Sequence, residues 1–170
     1  MATSRVVLLL RGVNVGGVVV RSTDLRALLA DAGLGDARTV LASGNAIVDA
    51  DDASAAARTA EAALEARYGR RIRVLGLELD MLAGIVASYP FAEDDDHTPY
   101  VVLGLDAGVL DVLATTETPE DLALVGDALC WSNPRGTTID SPFGRALTRV
   151  GKDSTTTRNL RTLRRIVAAG

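Results

Sequence analysis

The order of strand-like and helix-like patterns along residues 5–79 constrains the fold of this chain more than any other feature. Arg5–Arg11 is a short, continuous apolar run between two arginines, which is typical of a strand buried on both faces. Helical patterns follow at 22–32 and 53–68, and strand patterns at 37–42, 46–50 and 71–79. The resulting order β-α-β-β-α-β predicts a ferredoxin-like unit.

The rest of the chain repeats most of this order. Strand patterns lie at 100–105, 122–126 and 128–132, and helical patterns at 108–115, 142–150 and about 157–168. The second unit is therefore expected to end in a helix where the first ends in a strand. We predict an α+β fold of two tandem ferredoxin-like subdomains with a C-terminal helix. The expected organisation is a subdomain at 1–79, a linker helix and acidic loop at 80–98, and a second subdomain with the C-terminal helix at 99–170.

The chain has one cysteine, Cys130, and one histidine, His97. These counts exclude a disulfide within the chain and zinc sites of the Cys/His type, and we expect no metal site. The apolar run Val6–Leu10 is too short to cross a bilayer, and no basic segment of a signal peptide precedes it. We therefore expect a cytoplasmic protein without a membrane partner.

Charge is distributed unevenly along the chain. Residues 1–85 are neutral overall, residues 86–134 carry a net charge of −10, and residues 135–170 carry +6. The basic tail alone suggests nucleic acid, but the net charge is −4 and the four predicted strands of the first half have no aromatic side chain for base stacking. Nucleic acid is thus an unlikely partner. The tail arginines are expected to form a solvated helix face. The specific alternative is that they pair with Glu93–Asp96, within one chain or between subunits, and the sequence leaves the oligomeric state open.

A first candidate motif follows the first predicted strand. Arg11 begins the run Arg-Gly-Val-Asn-Val-Gly-Gly, in which Asn14, Gly16 and Gly17 are the other candidate binding residues. A strand that ends in an arginine and a glycine-rich loop can present a guanidinium and backbone N–H groups to an anion. The alternative is a tight loop whose glycines serve only backbone geometry, with Arg11 paired to a carboxylate.

A second candidate motif is the predicted turn Ser43-Gly44-Asn45 between two strands. In the predicted order, the first and third strands are antiparallel neighbours, so this turn lies at the same sheet end as the Arg11 loop. Asn14, Ser43 and Asn45 are therefore expected to converge. The alternative is an ordinary hairpin turn.

A third candidate motif comprises Thr156, Thr157, Arg158 and Asn159. Threonines are poor in helix interiors and good at helix starts, so this run is expected to open the last helix. The free N–H groups and the dipole of a helix N-terminus favour an anion, with Arg158 in the first turn. Simple capping beside a solvated arginine is the alternative.

The three motifs together resemble the bacterial domain of unknown function 1697 family. The resemblance rests on Leu9–Gly17, Ser43–Asn45 and Thr156–Asn159 with Thr162, in that order along nearly the whole chain. It implies tandem ferredoxin-like subdomains. It does not point to any particular activity, because the family is uncharacterised.

The chain departs from the family pattern in two places. Leu160 and Arg161 stand where members usually have Trp and Asn, and Pro142 follows Ser141 where members tend to have Lys. If that lysine contributes to a ligand site, Arg145 would replace it imperfectly.

The candidate residues are rich in hydrogen-bond donors and contain no acid, which suits a phosphate or carboxylate group. No general base or nucleophile is evident, since His97 stands in an acidic run and no G-x-S-x-G pattern occurs. Binding of a small anionic ligand is therefore better supported than catalysis, and no cofactor is indicated. A nucleic-acid module and a protein-interaction or structural role remain the alternatives.

Overall fold

In the computed structural model, the described residues are 3–14, 17–41 and 44–170. They form six α-helices and two four-stranded antiparallel sheets. The chain divides into two units, Met1–Ala83 with Arg165–Gly170, and Gly84–Arg164. The predicted α+β fold of tandem ferredoxin-like subdomains with a C-terminal helix is confirmed. The proposed boundaries at residues 79 and 98 stay a prediction.

The first unit contains a complete ferredoxin-like sheet. Its elements are β1 (Ser4–Leu10), α1 (Ser22–Asp31), β2 (Arg38–Thr39), β3 (Asn45–Ala50), α2 (Ala53–Tyr68) and β4 (Val74–Glu78), and α3 (Leu79–Ala87) continues into the second unit. The strand order is β2-β3-β1-β4, and each neighbouring pair is antiparallel. The predicted antiparallel pairing of the first and third strands is therefore confirmed.

The apolar run that opened the sequence argument becomes the central strand β1. Val6, Leu8 and Leu10 belong to the core cluster that also holds Leu25 of α1 and Leu64 of α2. Val7 and Leu9 point to the opposite face and are also fully buried, at 0% exposure. Burial on both faces explains why this strand has no polar alternation.

Helix boundaries in the first unit follow local sequence signals only in part. Asp52 caps α2 through a hydrogen bond from the Ala55 N–H, and Gly69 ends that helix at a φ of 67°. By contrast, α1 has Arg21 at its N-cap and no side-chain cap. Ser22 has a side chain that suits a helix cap, but it is already the first helical residue.

The second unit repeats the topology of the first. Its elements are β5 (His97–Gly104), α4 (Val109–Ala114), β6 (Asp121–Val125), β7 (Ala128–Pro134), a 3₁₀ turn (Thr138–Asp140), α5 (Pro142–Val150), β8 (Thr155–Asn159) and α6 (Leu160–Ala169), which continues into the first unit. The order is β6-β7-β5-β8, again antiparallel throughout. β6 and β7 form a hairpin, and the Ser141 side chain caps α5 by accepting from the Gly144 N–H.

The expected helix start at about residue 157 is wrong. Thr155–Asn159 forms β8 beside β5, and α6 begins at Leu160. β-branched threonines suit a pleated strand as well as a helix cap, and here they form part of the strand next to β5. The second unit therefore has its fourth strand, which the sequence interpretation omitted.

An aromatic cluster fills the core of the second unit. The Trp131 ring stacks on Tyr100 at a centroid distance of 5.2 Å and meets Phe143 edge-on at 5.0 Å. Cys130 precedes Trp131, is buried and free, and burial raises the pKa of its thiol to about 11. A thiol with so high a pKa is unreactive near neutral pH, as expected for a structural cysteine.

The part of the chain that the structure describes has neither a membrane-spanning helix nor a group of side chains suited to a metal ion. None of the helices there is both long and apolar enough to cross a membrane. No cluster of three His, Cys, Asp or Glu side chains suited to a metal ion occurs in that part of the chain.

Candidate functional site

Three chain segments meet at the end of β1. The Leu10 N–H donates to the Gly44 carbonyl at 2.9 Å, and the Arg11 N–H donates to the Arg73 carbonyl at 2.9 Å. Because β3 and β4 both run antiparallel to β1, they begin where β1 ends. We call the described residues 11–14, 17–20, 40–41, 44–45 and 67–73 the β1-end segments. The predicted proximity of the first two motifs is confirmed through Gly44, whereas Ser43 lies outside the described residues.

Left-handed backbone shapes the first β1-end segment. Gly12 has a φ of 67°, Gly17 of 146° and Asn14 of 59°. The Asn14 N–H donates to the Val18 carbonyl at 2.7 Å, and the Asn14 Oδ1 accepts from the Val20 N–H at 3.1 Å. Asn14 thus closes the loop with its own side chain, a geometry that Asn tolerates better than most residues. Gly16 lies outside the described residues, and its binding role stays a prediction.

Asn45 holds the second β1-end segment. It is the first residue of β3 rather than part of a turn, and only 6% of it is exposed. Its Nδ2 donates to the Val40 carbonyl at 3.2 Å, and its own carbonyl accepts from the Val40 N–H at 3.1 Å. Asn45 therefore positions the chain that leads into β3, and a direct ligand contact for it stays a prediction.

Positive charge accumulates at this end of the sheet. The β1-end segments contain no aspartate or glutamate, and they contain the arginines at positions 11, 67, 70, 71 and 73. The Arg70 guanidinium lies beside the loop, since its Nη1 would be 3.9 Å from a Cβ placed on Gly17. Arg71 forms an ion pair with Glu61 at 3.8 Å, and Glu61 also accepts from the Val74 N–H at 2.8 Å.

The sequence interpretation missed Arg70 and Arg73. Their signal was available in the predicted strand order, because the fourth strand of a ferredoxin-like unit pairs with the first in the antiparallel sense. The residues before β4 must then lie beside the residues after β1. The argument that places the turn before β3 at this sheet end therefore also places the segment before β4 there.

The third motif takes a different form from the one expected. Arg158 and Thr156 pair with Val101 and Leu103 of β5, whereas Thr157 pairs with Val102 of the aromatic cluster. Because side chains alternate along a strand, Thr156 and Arg158 share one sheet face and Thr157 shares the other with Asn159. The four residues of this motif therefore do not present one common surface.

Arg158 and Asn159 have distinct local roles. The Arg158 Nη1 donates to the Thr156 Oγ1 at 2.7 Å and to the Thr157 carbonyl at 3.0 Å. Burial lowers the pKa of Arg158 to about 10, so the guanidinium keeps its charge at neutral pH. The Asn159 Oδ1 accepts from the Arg161 N–H at 2.8 Å and caps α6.

The candidate residues belong to different units. Arg11, Asn14, Gly17 and Asn45 lie in the first unit, and Thr156, Thr157, Arg158 and Asn159 lie in the second. The convergence of the three motifs in space stays a prediction.

The acidic segment pairs with the basic tail inside the second unit. Arg164 contacts both carboxylate oxygens of Glu93, and the Nη1–Oε2 distance is 2.8 Å. The hydrogen bond from Arg164 holds the pKa of Glu93 below its usual range. The alternative in which a tail arginine pairs with the acidic run is thus confirmed within one chain. Both partners are exposed, so the pair contributes little to stability.

Comparison with known proteins gives a family and a fold. The family model described as "Protein of unknown function (DUF1697)" matches residues 3–129, which contain the first two motifs and not the third. A solved structure described as that of the conserved bacterial protein SP0830 from Streptococcus pneumoniae is similar, with a TM-score of 0.83 at 22% identity. The match covers 99% of this chain and 98% of that chain. None of the curated proteins matches.

Proposed function

The chain belongs to the domain of unknown function 1697 family, and because that description assigns no chemistry, we propose from the chain's own residues that it binds a small anion at the β1-end segments. The observation that carries the proposal is the charge of these segments. These segments contain five arginines and no acid of their own, and one of the five, Arg71, is paired with Glu61 of α2. A phosphate or carboxylate group has the charge and the acceptor atoms that such a surface would bind.

Different residues have different parts in this proposal. Arg11 and Arg70 supply guanidinium groups, whose planar donors match carboxylate and phosphate oxygens. Gly17 lets the group approach the backbone without a side chain in the way. Asn14 and Asn45 position the loops through the hydrogen bonds described above.

The residues of the third motif remain proposed ligand residues of the second unit. The main candidates among them are Arg158 and Thr156, because they share a face of β8 and are joined by a hydrogen bond. Thr157 faces the aromatic cluster, and Asn159 caps α6, so we expect weaker effects from their substitution.

We expect inorganic phosphate to raise the melting temperature of the protein. At 100 times its Kd, a ligand that binds only the folded state stabilises by about 2.7 kcal/mol, or roughly 5–10 °C for a chain of this size. Arg11→Ala and Arg70→Ala should each lose at least about half of this shift, since each removes one charged contact. The measurement is thermal unfolding followed by circular dichroism, in phosphate and in NaCl of equal ionic strength.

Arg26→Ala is the matched control, because Arg26 is an exposed arginine of α1 outside the β1-end segments. It should keep the full shift. An equal shift in all variants, or no shift with phosphate, sulfate or citrate, contradicts the proposal. Tight binding of a single-stranded oligonucleotide with a steep loss of affinity in salt would instead favour the nucleic-acid alternative.

A further inference from the structure

An open cavity of about 390 Å³ lies on the sheet of the first unit, away from the β1-end segments. All the residues that line it belong to that unit and to the described part of the chain. Two arginines and two aspartates are among them: Arg5, Asp36, Arg38 and Asp49. The cavity therefore presents both signs of charge, whereas the β1-end segments present only positive side chains.

The strand register places three of these charged side chains on one sheet face. Val48 of β3 belongs to the core cluster that packs under α1 and α2, so its neighbours Ile47 and Asp49 point to the other face. Arg5 of β1 lies directly opposite Asp49, and Arg38 of β2 lies directly opposite Ile47. Directly opposite residues of antiparallel strands share a face. Asp49 therefore has an arginine on each of the two neighbouring strands.

The charged groups of this cavity are available to a ligand. In the part of the chain that the structure describes, neither Arg5 nor Asp49 forms an ion pair or a side-chain hydrogen bond, although the two residues are opposite each other. The Arg38 Nη1 lies 3.5 Å from the Ala169 carbonyl at the end of α6, to which it donates. Arg5 is therefore the arginine with the most unused donors.

We infer that this cavity binds a small zwitterion of the α-amino-acid class. Neighbouring strands lie about 5 Å apart, so a positive and a negative side chain stand next to each other on this face. An α-amino acid carries an ammonium and a carboxylate group on one carbon atom. Its carboxylate would accept from Arg5 and its ammonium group would donate to Asp49, while its side chain would contact Ile47. A ligand of one charge would leave the groups of the other sign unpaired.

This site is separate from the site of the proposed function. Arg5 lies near the first residue of β1, and Arg11 follows its last residue. Six residues of extended strand span about 20 Å, which is longer than an amino acid. The inference therefore does not depend on anion binding at the β1-end segments.

Leucine, N-acetylleucine and leucinamide separate the two charges of the ligand. The three probes share one apolar side chain, but N-acetylleucine lacks the ammonium group and leucinamide lacks the carboxylate. We expect leucine to bind at least about tenfold more tightly than either relative, since each relative loses one charged contact. The measurement is titration of the ¹⁵N-labelled protein followed by backbone amide NMR signals, at constant pH and ionic strength. Signals of Arg38, Ile47 and Asp49 should shift.

Arg5→Gln and Asp49→Asn assign each charge to its partner. Arg5→Gln should remove most of the advantage of leucine over leucinamide, because the partner of the carboxylate is lost. Asp49→Asn should remove most of its advantage over N-acetylleucine, because the partner of the ammonium group is lost. Arg58→Gln and Glu65→Gln are the matched controls, since both residues are exposed on α2, which covers the opposite face of the sheet. Both controls should keep the full preference for leucine.

Three outcomes would overturn the inference. The first is no binding of leucine at millimolar concentration, or equal binding of the three probes. The second is a loss of stability in Arg5→Gln and Asp49→Asn by urea unfolding without a change in probe preference, because the two residues would then serve only the pairing of β1 with β3. The third is loss of leucine binding in Arg11→Ala, which would move the ligand to the other sheet end. None of these outcomes changes the phosphate test of the proposed function.

Discussion

Gly76→Ala is expected to destabilise the protein by about 3 kcal/mol, or roughly 6–12 °C in melting temperature. A Cβ at this position in β4 would overlap the carbonyl oxygen of Ala53 and lie 2.9 Å from its carbonyl carbon. It would also lie 3.1 Å from the Cβ of Ala57. The first two obstacles are backbone atoms of α2, so no rotation of a side chain relieves the overlap. The measurement is urea unfolding followed by far-ultraviolet circular dichroism.

Gly84→Ala is the matched control for this change. Gly84 lies in α3, is exposed, and has nothing within 4 Å of the position of an added Cβ. Alanine should stabilise that helix by about 0.5–1 kcal/mol. The same substitution should therefore lower the stability of the protein at Gly76 and raise it at Gly84. Equal stability of the two variants would mean that α2 does not lie directly on β4 at Gly76.

The first unit could be predicted from sequence because its local signals agree with one another. The predicted helix at 53–68 has the bounds of α2, and Gly69 ends it with the left-handed backbone that glycine allows. The continuous apolar run became the central strand, where both faces are buried. Strand lengths were less predictable, since β2 contains only Arg38–Thr39 of the predicted 37–42.

The threonine run shows where local reasoning fails. Thr155–Thr157 carries cap-forming side chains and β-branched side chains at once, and these two properties predict different structures. Pairing with β5, more than fifty residues earlier in the chain, decides the outcome. A comparison with the first unit would have favoured a strand, because a β-α-β-β-α order without its last strand leaves β5 unpaired on one side.

The sequence predicted the loops of the candidate site. It predicted fewer arginines at the site than the structure places there. Arg11 and the turn at Gly44 were placed at one sheet end by topology alone, and the hydrogen bond from Leu10 to Gly44 agrees. The binding roles given to Asn14 and Asn45 came from residue type. Residue type alone does not show that each of these side chains already forms a hydrogen bond with the backbone of its own loop.

The second large effect on stability is expected from substitution of a buried carboxylate at the start of α5. Glu120 is only 9% exposed, and its Oε2 accepts from the Phe143 N–H at 2.9 Å and from the Thr118 hydroxyl. Ser141 caps the same helix by accepting from the Gly144 N–H at 2.9 Å. The carboxylate therefore lies at the positive end of the helix dipole and satisfies an N–H that has no partner within the helix.

Glu120→Gln should destabilise the protein by about 2–3 kcal/mol at pH 7, because it removes the charge from a buried, charge-assisted hydrogen bond while it keeps the size of the side chain. Urea unfolding followed by the fluorescence of Trp131, the single tryptophan of the chain, measures the loss. Glu117→Gln, at an exposed glutamate nearby, should change stability by less than about 0.5 kcal/mol.

The pH dependence of this loss follows from the pKa of Glu120. Burial raises that pKa, but hydrogen bonds to the carboxylate, among them those from the Thr118 hydroxyl and the Phe143 N–H, outweigh burial and hold it below the ordinary 4.5. A carboxyl whose pKa is lower in the folded state stabilises fully above its unfolded pKa, and the stabilisation is lost as pH falls through the folded pKa. The difference between the natural chain and Glu120→Gln should thus stay constant from pH 7 to about 5 and shrink below 4.5. A difference that grows on acidification would mean that the folded protein favours the protonated carboxyl, and that the helix N-terminus is not held by a charge.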